Sequence, residues 1–261
     1  MAQDRGAEQT EVWLDFLRWL TDLDAIGWIF RGEDKADYLL QPKIGRPETW
    51  RKDYSYFYNN EAWLFDEFKR RAPAFLVGQA VPQTDWEWLA LAQHHGLPTR
   101  LLDWSKSALV AAFFAVEAQG NKGDAVVYAF KPEGTVYVPL AVPHPFLIPK
   151  VVRFDPVLVS NRIIAQSATF TIHPRPNEEF SPSERFQKFV IPQSACGPFK
   201  SRLNNLAINR ASLFPGLDGI ASHLQFLNTI VSPMHTHPAP VMLVPRKENQ
   251  DLTNIVNGST T

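Results

Sequence analysis

Residues 94–105 read HHGLPTRLLDWS, and this stretch decides the fold because it joins two helical segments through a short extended one. Upstream, residues 84–92 (TDWEWLALA) carry the spacing of a helix. Gly96 and Pro98 end that helix, and TRLLDW predicts a brief strand or loop before an apolar helix begins. Polar side chains are thus embedded in apolar sequence, where binding groups are commonly presented to a cleft.

The rest of the chain predicts helices mainly in the first half and strands mainly in the second. The predicted helices are 11–24, helices joined by short turns within 48–72, 85–92 with Thr84 as N-cap, a helix behind Ser105 or Ser107 ending near Gly120, and 203–227. The predicted strands are 28–31, 101–104, 124–130, 135–142, 145–154, a pair of strand-like runs within 160–176, and 185–193. The predicted fold class is therefore α+β, with helices packed on a sheet core.

Composition excludes several classes of protein. Of 261 residues, 45% are hydrophobic, which is enough for a packed core. Lys and Arg total 26 against 27 Asp and Glu, so no overall positive field attracts nucleic acid or anionic lipid. Cys196 is the single cysteine, which excludes an internal disulfide and zinc modules.

The expected organisation is one domain over residues 1–245 followed by a polar tail over 246–261. The first ten residues are charged, without the apolar core of a signal peptide. The longest apolar run, residues 108–116, is far shorter than a membrane span. We therefore expect a cytoplasmic protein with no membrane partner.

Arg31 is the first candidate site residue. It follows the apolar run WIF and precedes Gly32, which would let an anion or another backbone approach closely. A guanidinium at a strand end can bind a phosphate through two hydrogen bonds. The equally weighted alternative is a structural arginine paired with an acid such as Asp103 or Glu33.

Residues 94–105 hold the densest group of candidates. A histidine, His94 or His95, suits acid/base work near neutral pH, and Trp104 could stack on a flat ring. Arg100 and Asp103 could orient a ligand or each other. The structural alternative is a buried Arg100–Asp103 salt bridge that fixes the loop, with His94 capping a helix end.

Two further segments carry weaker signals. Gln166 and Phe170 lie between apolar positions of RIIAQSATFTI, and a buried amide there needs a partner. Gln166 could position a ligand hydroxyl, although a hydrogen bond to a neighbouring turn is the favoured interpretation. The segment LFPGLDG, residues 213–219, predicts a structural turn leading into a helix.

The sequence lacks the nucleotide-binding, metalloprotease and hydrolase motifs GxGxxG, GxxxxGK[ST], HExxH and GxSxG. It does contain four short motifs that together resemble the FRG domain family. The motifs are Phe30-Arg31-Gly32; HGLPTRLLDW at 95–104; Arg162 with Ala165-Gln166 and Phe170; and Leu213-Phe214-Pro215 with Leu217-Asp218-Gly219. The resemblance spans roughly Trp13 to Leu224. One departure is that the family's third motif usually has glycine after the glutamine, where this chain has Ser167.

A second, weaker resemblance is to ADP-ribosyltransferases, and it implies a split β-sheet core with flanking helices. It implies that Arg31 holds the phosphates of a dinucleotide and that Asp103–Ser105 replace a Ser-Thr-Ser segment. The RIIAQ run would occupy the place of the catalytic glutamate strand, where a glutamine substitutes poorly for a carboxylate. Either another acid such as Asp103 stabilises the oxocarbenium-like state, or the protein binds a nucleotide without turning it over.

The expected function is an ADP-ribosyltransferase-like enzyme that handles NAD as a substrate without a metal, as a bacterial or phage toxin or defence effector. The catalytic candidates are Arg31, His95, Asp103 and Gln166, and the cofactor-binding candidates are Arg31, Gly32, Arg100, Trp104, Ser105 and Phe170. A non-catalytic module that binds a nucleotide, a nucleic-acid end or a protein is the alternative. A hydrolase or nuclease using His94 or His95 with Asp103 ranks last, because no acidic metal cluster is evident.

Overall fold

The computed structural model describes residues 2–24, 26–49, 57–76, 78, 80–118, 123–133, 144–156 and 161–230. Its helices are α1 (Ala2–Asp22), α2 (Phe57–Arg71), α3 (Asp85–His94), α4 (Ala108–Val116), α5 (Asn161–Ala165), α6 (Gln193–Asn205), α7 (Arg210–Leu213) and α8 (Leu217–Ile230). Its strands are β1 (Ile29–Glu33), β2 (Leu101–Ser105), β3 (Ala125–Phe130), β4 (Val152–Phe154), β5 (Ala168–Ile172) and β6 (Phe186–Ile191). The fold class is α+β, as predicted.

The strands form one antiparallel sheet in the order β4-β5-β2-β1-β3-β6, so β2 and β1 lie at its centre. β1 pairs with β3 along its whole length, Ile29 to Glu33. In contrast, β1 pairs with β2 at one position, Phe30 opposite Ser105. The two central strands diverge beyond that pair, which leaves room for side chains between them.

Helices cover one face of the sheet in two separate apolar clusters. The first cluster packs α1, α4 and α6 against β1, β3 and β6, with Phe16 and Phe199 fully buried. The second packs α2 and α3 against β2, β4 and β5, with Trp86 and Leu101 at its centre. Burying a large apolar side chain contributes about 1.5–3 kcal/mol, so each cluster anchors its helices firmly.

Loop segments cover the opposite face. Side chains alternate along a strand, so Leu102 and Trp104 point away from the helices. They pack with Tyr128, with Leu40 from the segment after β1 and with Phe180 from the segment before β6. The core therefore lies on both sides of the sheet.

Gly32 allows α4 to pack directly on β1. A Cβ at this position would overlap the carbonyl oxygen of Ala111 and lie 2.6 Å from the amide nitrogen of Ala115. The predicted close approach at Gly32 is therefore real, but the approaching group is the α4 backbone rather than an anion. The cofactor-binding role predicted for Gly32 has no space on this side of the strand.

Two sequence-based assignments are wrong in detail. Residues 161–165, expected to be strand, form α5, with Ile163 buried and Ile164 55% exposed. Such a short apolar run does not distinguish a strand from a helix. Residues 145–147 form a 3-10 turn, and the predicted strand over 145–154 is confined to β4. The strand predicted over 135–142 lies outside the described residues.

The chain divides into two units, Met1–His223 and Leu224–Thr261. Of the second unit the structure describes residues 224–230, the end of α8. The predicted boundary at residue 245 and the predicted tail lie outside the described residues. Among the residues described, no helix is long and apolar enough to span a membrane.

Candidate functional site

Asp103 is the polar residue that stands out on the helix-covered face. It lies in the middle of β2, where every other residue of the strand is buried. Its neighbour across the strands, Phe170, belongs to the second apolar cluster, while α4 packs over β1 on the other side. The carboxylate therefore lies between the two helical coverings, with its side chain 57% exposed.

A short chain of hydrogen bonds orients this carboxylate. The amide of Gln93, at the end of α3, donates to Asp103 Oδ2 over 2.8 Å. The Thr99 hydroxyl donates to the amide oxygen of Gln93 over 2.6 Å, and it accepts from the backbone N–H of Leu101. Because Thr99 engages that oxygen, the Gln93 NH₂ group must face Asp103. Gln93 was missed by the sequence reasoning.

Gln93 is brought to Asp103 by the way α3 ends. Gly96 has a φ of +84°, and the N–H groups of Gly96 and Leu97 bond back to the last turn of the helix. This left-handed C-terminal geometry favours glycine. The chain then reverses into β2, so the last residues of α3 face the strand that they precede.

Arg31 fills the space between the diverging central strands. Its Nε donates to Glu33 over 2.7 Å and its Nη1 donates to the backbone carbonyl of Asp103 over 2.7 Å. The Asp103 carboxylate lies 3.9 Å from Nη1. Burial opposes the charge, but Glu33 and Asp103 outweigh it and raise the pKa of Arg31. The pairing foreseen as the alternative is present, and a phosphate contact by Arg31 stays a prediction.

Charge and burial also act on the neighbouring ionisable groups. Surrounding protein raises the pKa of Asp103 above its usual range, against the opposing effects of Arg31, Gln93 and Arg162. Burial, with help from Arg162 and His95, lowers the pKa of His94 to about 4. At neutral pH His94 is therefore a neutral imidazole.

Trp104 is not at this site. It is 3% exposed on the opposite face, and its indole N–H donates to the Thr171 hydroxyl over 2.8 Å. That hydroxyl lies 2.8 Å from Nε2 of the buried His173, whose pKa is lowered to about 3 by burial, with Arg31 and Arg100 adding to the effect. Trp104 thus has no exposed ring to stack on a ligand, because adjacent strand residues point to opposite faces.

Arg100 and Phe170 are core residues as well. Arg100 forms a two-point ion pair with Glu61 of α2, at 3.0 and 2.6 Å, and its guanidinium lies over the ring of Phe146. The expected Arg100–Asp103 bridge is therefore wrong, because Arg100 points away from Asp103 and toward α2. Phe170 is 3% exposed within the second apolar cluster.

Ser105 and Gln166 connect the later motifs. The Ser105 hydroxyl donates to the Gln166 carbonyl over 2.8 Å and accepts from the Ser107 N–H. The Gln166 amide donates to the Leu213 carbonyl over 3.0 Å. Both side chains are thus committed to neighbouring turns, as the structural interpretation of Gln166 foresaw. His95 is exposed, and its ring contacts His94 at 5.1 Å.

The four sequence motifs converge through these contacts. Arg31 of the first bonds to Asp103 of the second. Ser105, directly after the second, bonds to Gln166 of the third, and Gln166 bonds to Leu213 of the fourth. Segments separated by long stretches of chain therefore build one continuous region around β2. No group of three His, Cys, Asp or Glu in the described part of the chain could hold a metal ion.

Ser167, the position at which the family pattern has glycine, has a φ of +47°. Its carbonyl accepts from the Lys106 N–H over 2.9 Å, so the turn is formed although a side chain must occupy the left-handed region. Left-handed geometry costs a non-glycine residue about 1–2 kcal/mol, partly offset by the greater unfolded-state entropy of glycine.

We expect Ser167→Gly to raise the free energy of unfolding by up to about 1 kcal/mol. Urea unfolding of the variant, with Ser201→Gly inside α6 as the matched control, measures the effect. Ser201→Gly should destabilise, because glycine is unfavourable in a helix interior. Loss of stability in Ser167→Gly would show that the Ser167 side chain supports the turn.

One known family model matches the part of the chain that contains the first two of these motifs. Residues 27–124 match the family model of the FRG domain, which covers the first two motifs. The third and fourth motifs lie beyond the matched residues. Neither the curated proteins nor the solved structures contain a significant match to the chain.

Proposed function

We propose that this chain, whose residues 27–124 match the FRG domain family model, is an ADP-ribosyltransferase-like enzyme that cleaves NAD, with Asp103 as the catalytic carboxylate. The observation that supports this most strongly is the position of Asp103. A carboxylate in the middle of a central strand, 57% exposed while its strand neighbours are buried, serves no packing role. An acid held in fixed geometry, with a pKa shifted by its surroundings, is typical of a functional site.

The proposed reaction breaks the bond between ribose C1′ and the nicotinamide nitrogen. The bonding electrons leave with the ring, which departs as neutral nicotinamide. The ribosyl group passes through an oxocarbenium-like state whose positive charge the Asp103 carboxylate stabilises. Water or an acceptor nucleophile then bonds to C1′, and its proton passes to solvent. With water as the acceptor the products are ADP-ribose, nicotinamide and a proton.

The neighbouring residues act by positioning Asp103. Gln93 fixes Oδ2 through a hydrogen bond, and Arg31 holds the adjacent backbone carbonyl. Burial raises the pKa of Asp103, and the positive charges of Arg31 and Arg162 oppose that rise and so favour the ionised carboxylate that the reaction needs. His94 is uncharged at neutral pH and can accept a hydrogen bond from a ribose hydroxyl. A cytoplasmic toxin or defence effector is the proposed biological setting.

Binding without turnover is the second candidate function. Arg31 is already bonded to Glu33 and to the Asp103 backbone, and the Gln166 amide is bonded to Leu213. Two of the polar groups expected to contact a nucleotide are therefore engaged within the protein. This arrangement favours a rigid module that recognises a nucleotide, a nucleic-acid end or a protein without chemistry.

The test is incubation of the purified protein with NAD, with nicotinamide release and thermal stability measured on the same sample. We expect nicotinamide release, and a rise in Tm of about 5–10 °C at a ligand concentration a hundred times Kd. Carba-NAD, which lacks the cleavable glycosidic bond, is the matched control and should stabilise without releasing nicotinamide. Stabilisation by NAD without nicotinamide release would favour the binding module. If NAD neither stabilised the protein nor released nicotinamide, an NAD enzyme would be excluded.

A further inference from the structure

Arg162, at the start of the third motif, has an unusual setting. It is exposed on α5, and its guanidinium lies over the ring of Phe214 at 4.5 Å. Phe214 is itself held edge-on against Phe114 of α4, with the ring centres 6.0 Å apart. An aromatic ring under a guanidinium restrains its plane while leaving its N–H edge open for hydrogen bonds.

The other arginines around the site have acidic partners. Arg31 pairs with Glu33, Arg100 with Glu61, and Arg153 with Asp155. Arg210, whose guanidinium lies over the same Phe214 ring at 4.6 Å, pairs with Glu117. Within the described residues Arg162 has no ion pair within 4 Å. Among the described residues it is the one of these five guanidinium groups without an acidic partner.

Hydrogen bonds place α5 against the face of β2 that carries Asp103. The Arg162 carbonyl accepts from the Gln166 N–H over 3.0 Å, and the Gln166 carbonyl accepts from Ser105, which points to the same face of β2 as Asp103. In keeping with this placement, the charge of Arg162 lowers the pKa of both Asp103 and His94. Partial burial lowers the pKa of Arg162 itself, and Asp103 opposes this effect. A cation in this position gains from an anionic ligand, which would add to the partial compensation that Asp103 supplies.

Building on the proposed function, we propose that Arg162, rather than Arg31, binds the phosphate of the substrate, so that the site selects phosphate-bearing nucleotides over nucleosides. The planar guanidinium can donate two parallel hydrogen bonds to phosphate oxygens. Asp103 then meets the ribose from the β2 side. Arg31 is freed from a binding role and positions Asp103 through its backbone carbonyl.

The test is calorimetric titration of wild-type and variant proteins with ADP-ribose and with nicotinamide riboside, which lacks the diphosphate. We expect Arg162→Gln to weaken ADP-ribose binding about tenfold to a hundredfold and to leave nicotinamide riboside binding unchanged. Arg162→Lys should retain part of the affinity, because it keeps the charge without the planar donor pair. Arg210→Gln, on the same ring but paired with Glu117, is the matched control and should leave ADP-ribose affinity unchanged.

The outcomes separate this inference from the function on which it rests. Equal ADP-ribose affinity in wild type and Arg162→Gln would overturn the role of Arg162 while leaving NAD cleavage intact. Equal losses for ADP-ribose and nicotinamide riboside would also overturn it, because a phosphate contact cannot act on a ligand without phosphate. Failure of the wild-type protein to bind either ligand would reject the proposed function itself. Since Arg162 is exposed, its variants should keep the wild-type Tm.

Discussion

Replacing Glu61 by glutamine should lower the free energy of unfolding by about 3–5 kcal/mol, because it leaves the Arg100 guanidinium buried without a counter-charge. Both side chains of the pair are 3% exposed. The two hydrogen bonds, at 3.0 and 2.6 Å, join α2 to the start of β2. A glutamine can accept one of these bonds, but it cannot balance the charge.

Urea unfolding monitored by tryptophan fluorescence measures this loss. Glu67→Gln on the same helix is the matched control, since Glu67 pairs with Arg70 and Arg71 near the surface and its loss should change the midpoint little. Replacing both Glu61 and Arg100 by methionine should recover much of the stability, because no charge is then left buried. A Glu61→Gln variant as stable as wild type would show that the pair contributes nothing to folding.

The Glu61–Arg100 pair also shows which features could not be predicted from the sequence. The sequence around Arg100 predicted the strand, the helix break, the N-cap at Thr84 and two candidate N-caps for α4, of which Ser107 is correct, since each depends on neighbouring residues. The partner of Arg100 is Glu61, which lies 39 residues away on α2. Asp103 was the predicted partner because it is close to Arg100 in the sequence. No local pattern encodes which helix packs over a strand, so Glu61 could not be predicted.

The different positions of Asp103 and Trp104 also depend on tertiary packing rather than on local sequence. Both residues lie in one short strand and both were candidates, but alternation sends their side chains to opposite faces. Which face receives the helices is a property of the whole sheet. Gln93 was missed for a related reason, since its role depends on how α3 folds back against β2. The sequence identified the candidate motif, but it did not show which of its residues lie at the site and which are buried in the core.

We expect Asp103→Asn to reduce nicotinamide release about 10²–10³-fold without loss of stability. The neutral amide cannot stabilise the developing positive charge, which accounts for the loss of rate. Asparagine can still accept the Gln93 hydrogen bond, and Arg31 keeps its bonds to Glu33 and to the backbone of residue 103. The measurement is the rate of nicotinamide release together with Tm, and Glu178→Gln on an exposed loop is the control acid variant.

The pKa of Asp103 predicts both the stability of that variant and the pH dependence of the reaction. Because the folded protein raises this pKa, it favours the neutral carboxyl, and the ionised form lowers stability at neutral pH. Asparagine removes that unfavourable charge, so the Tm of Asp103→Asn should equal or exceed that of wild type. Nicotinamide release by wild type should fall as the pH drops through a value above the ordinary 3.8 of an aspartate. A wild-type rate that stays constant through that range, or an Asp103→Asn variant that retains full activity, would assign the chemistry to another group.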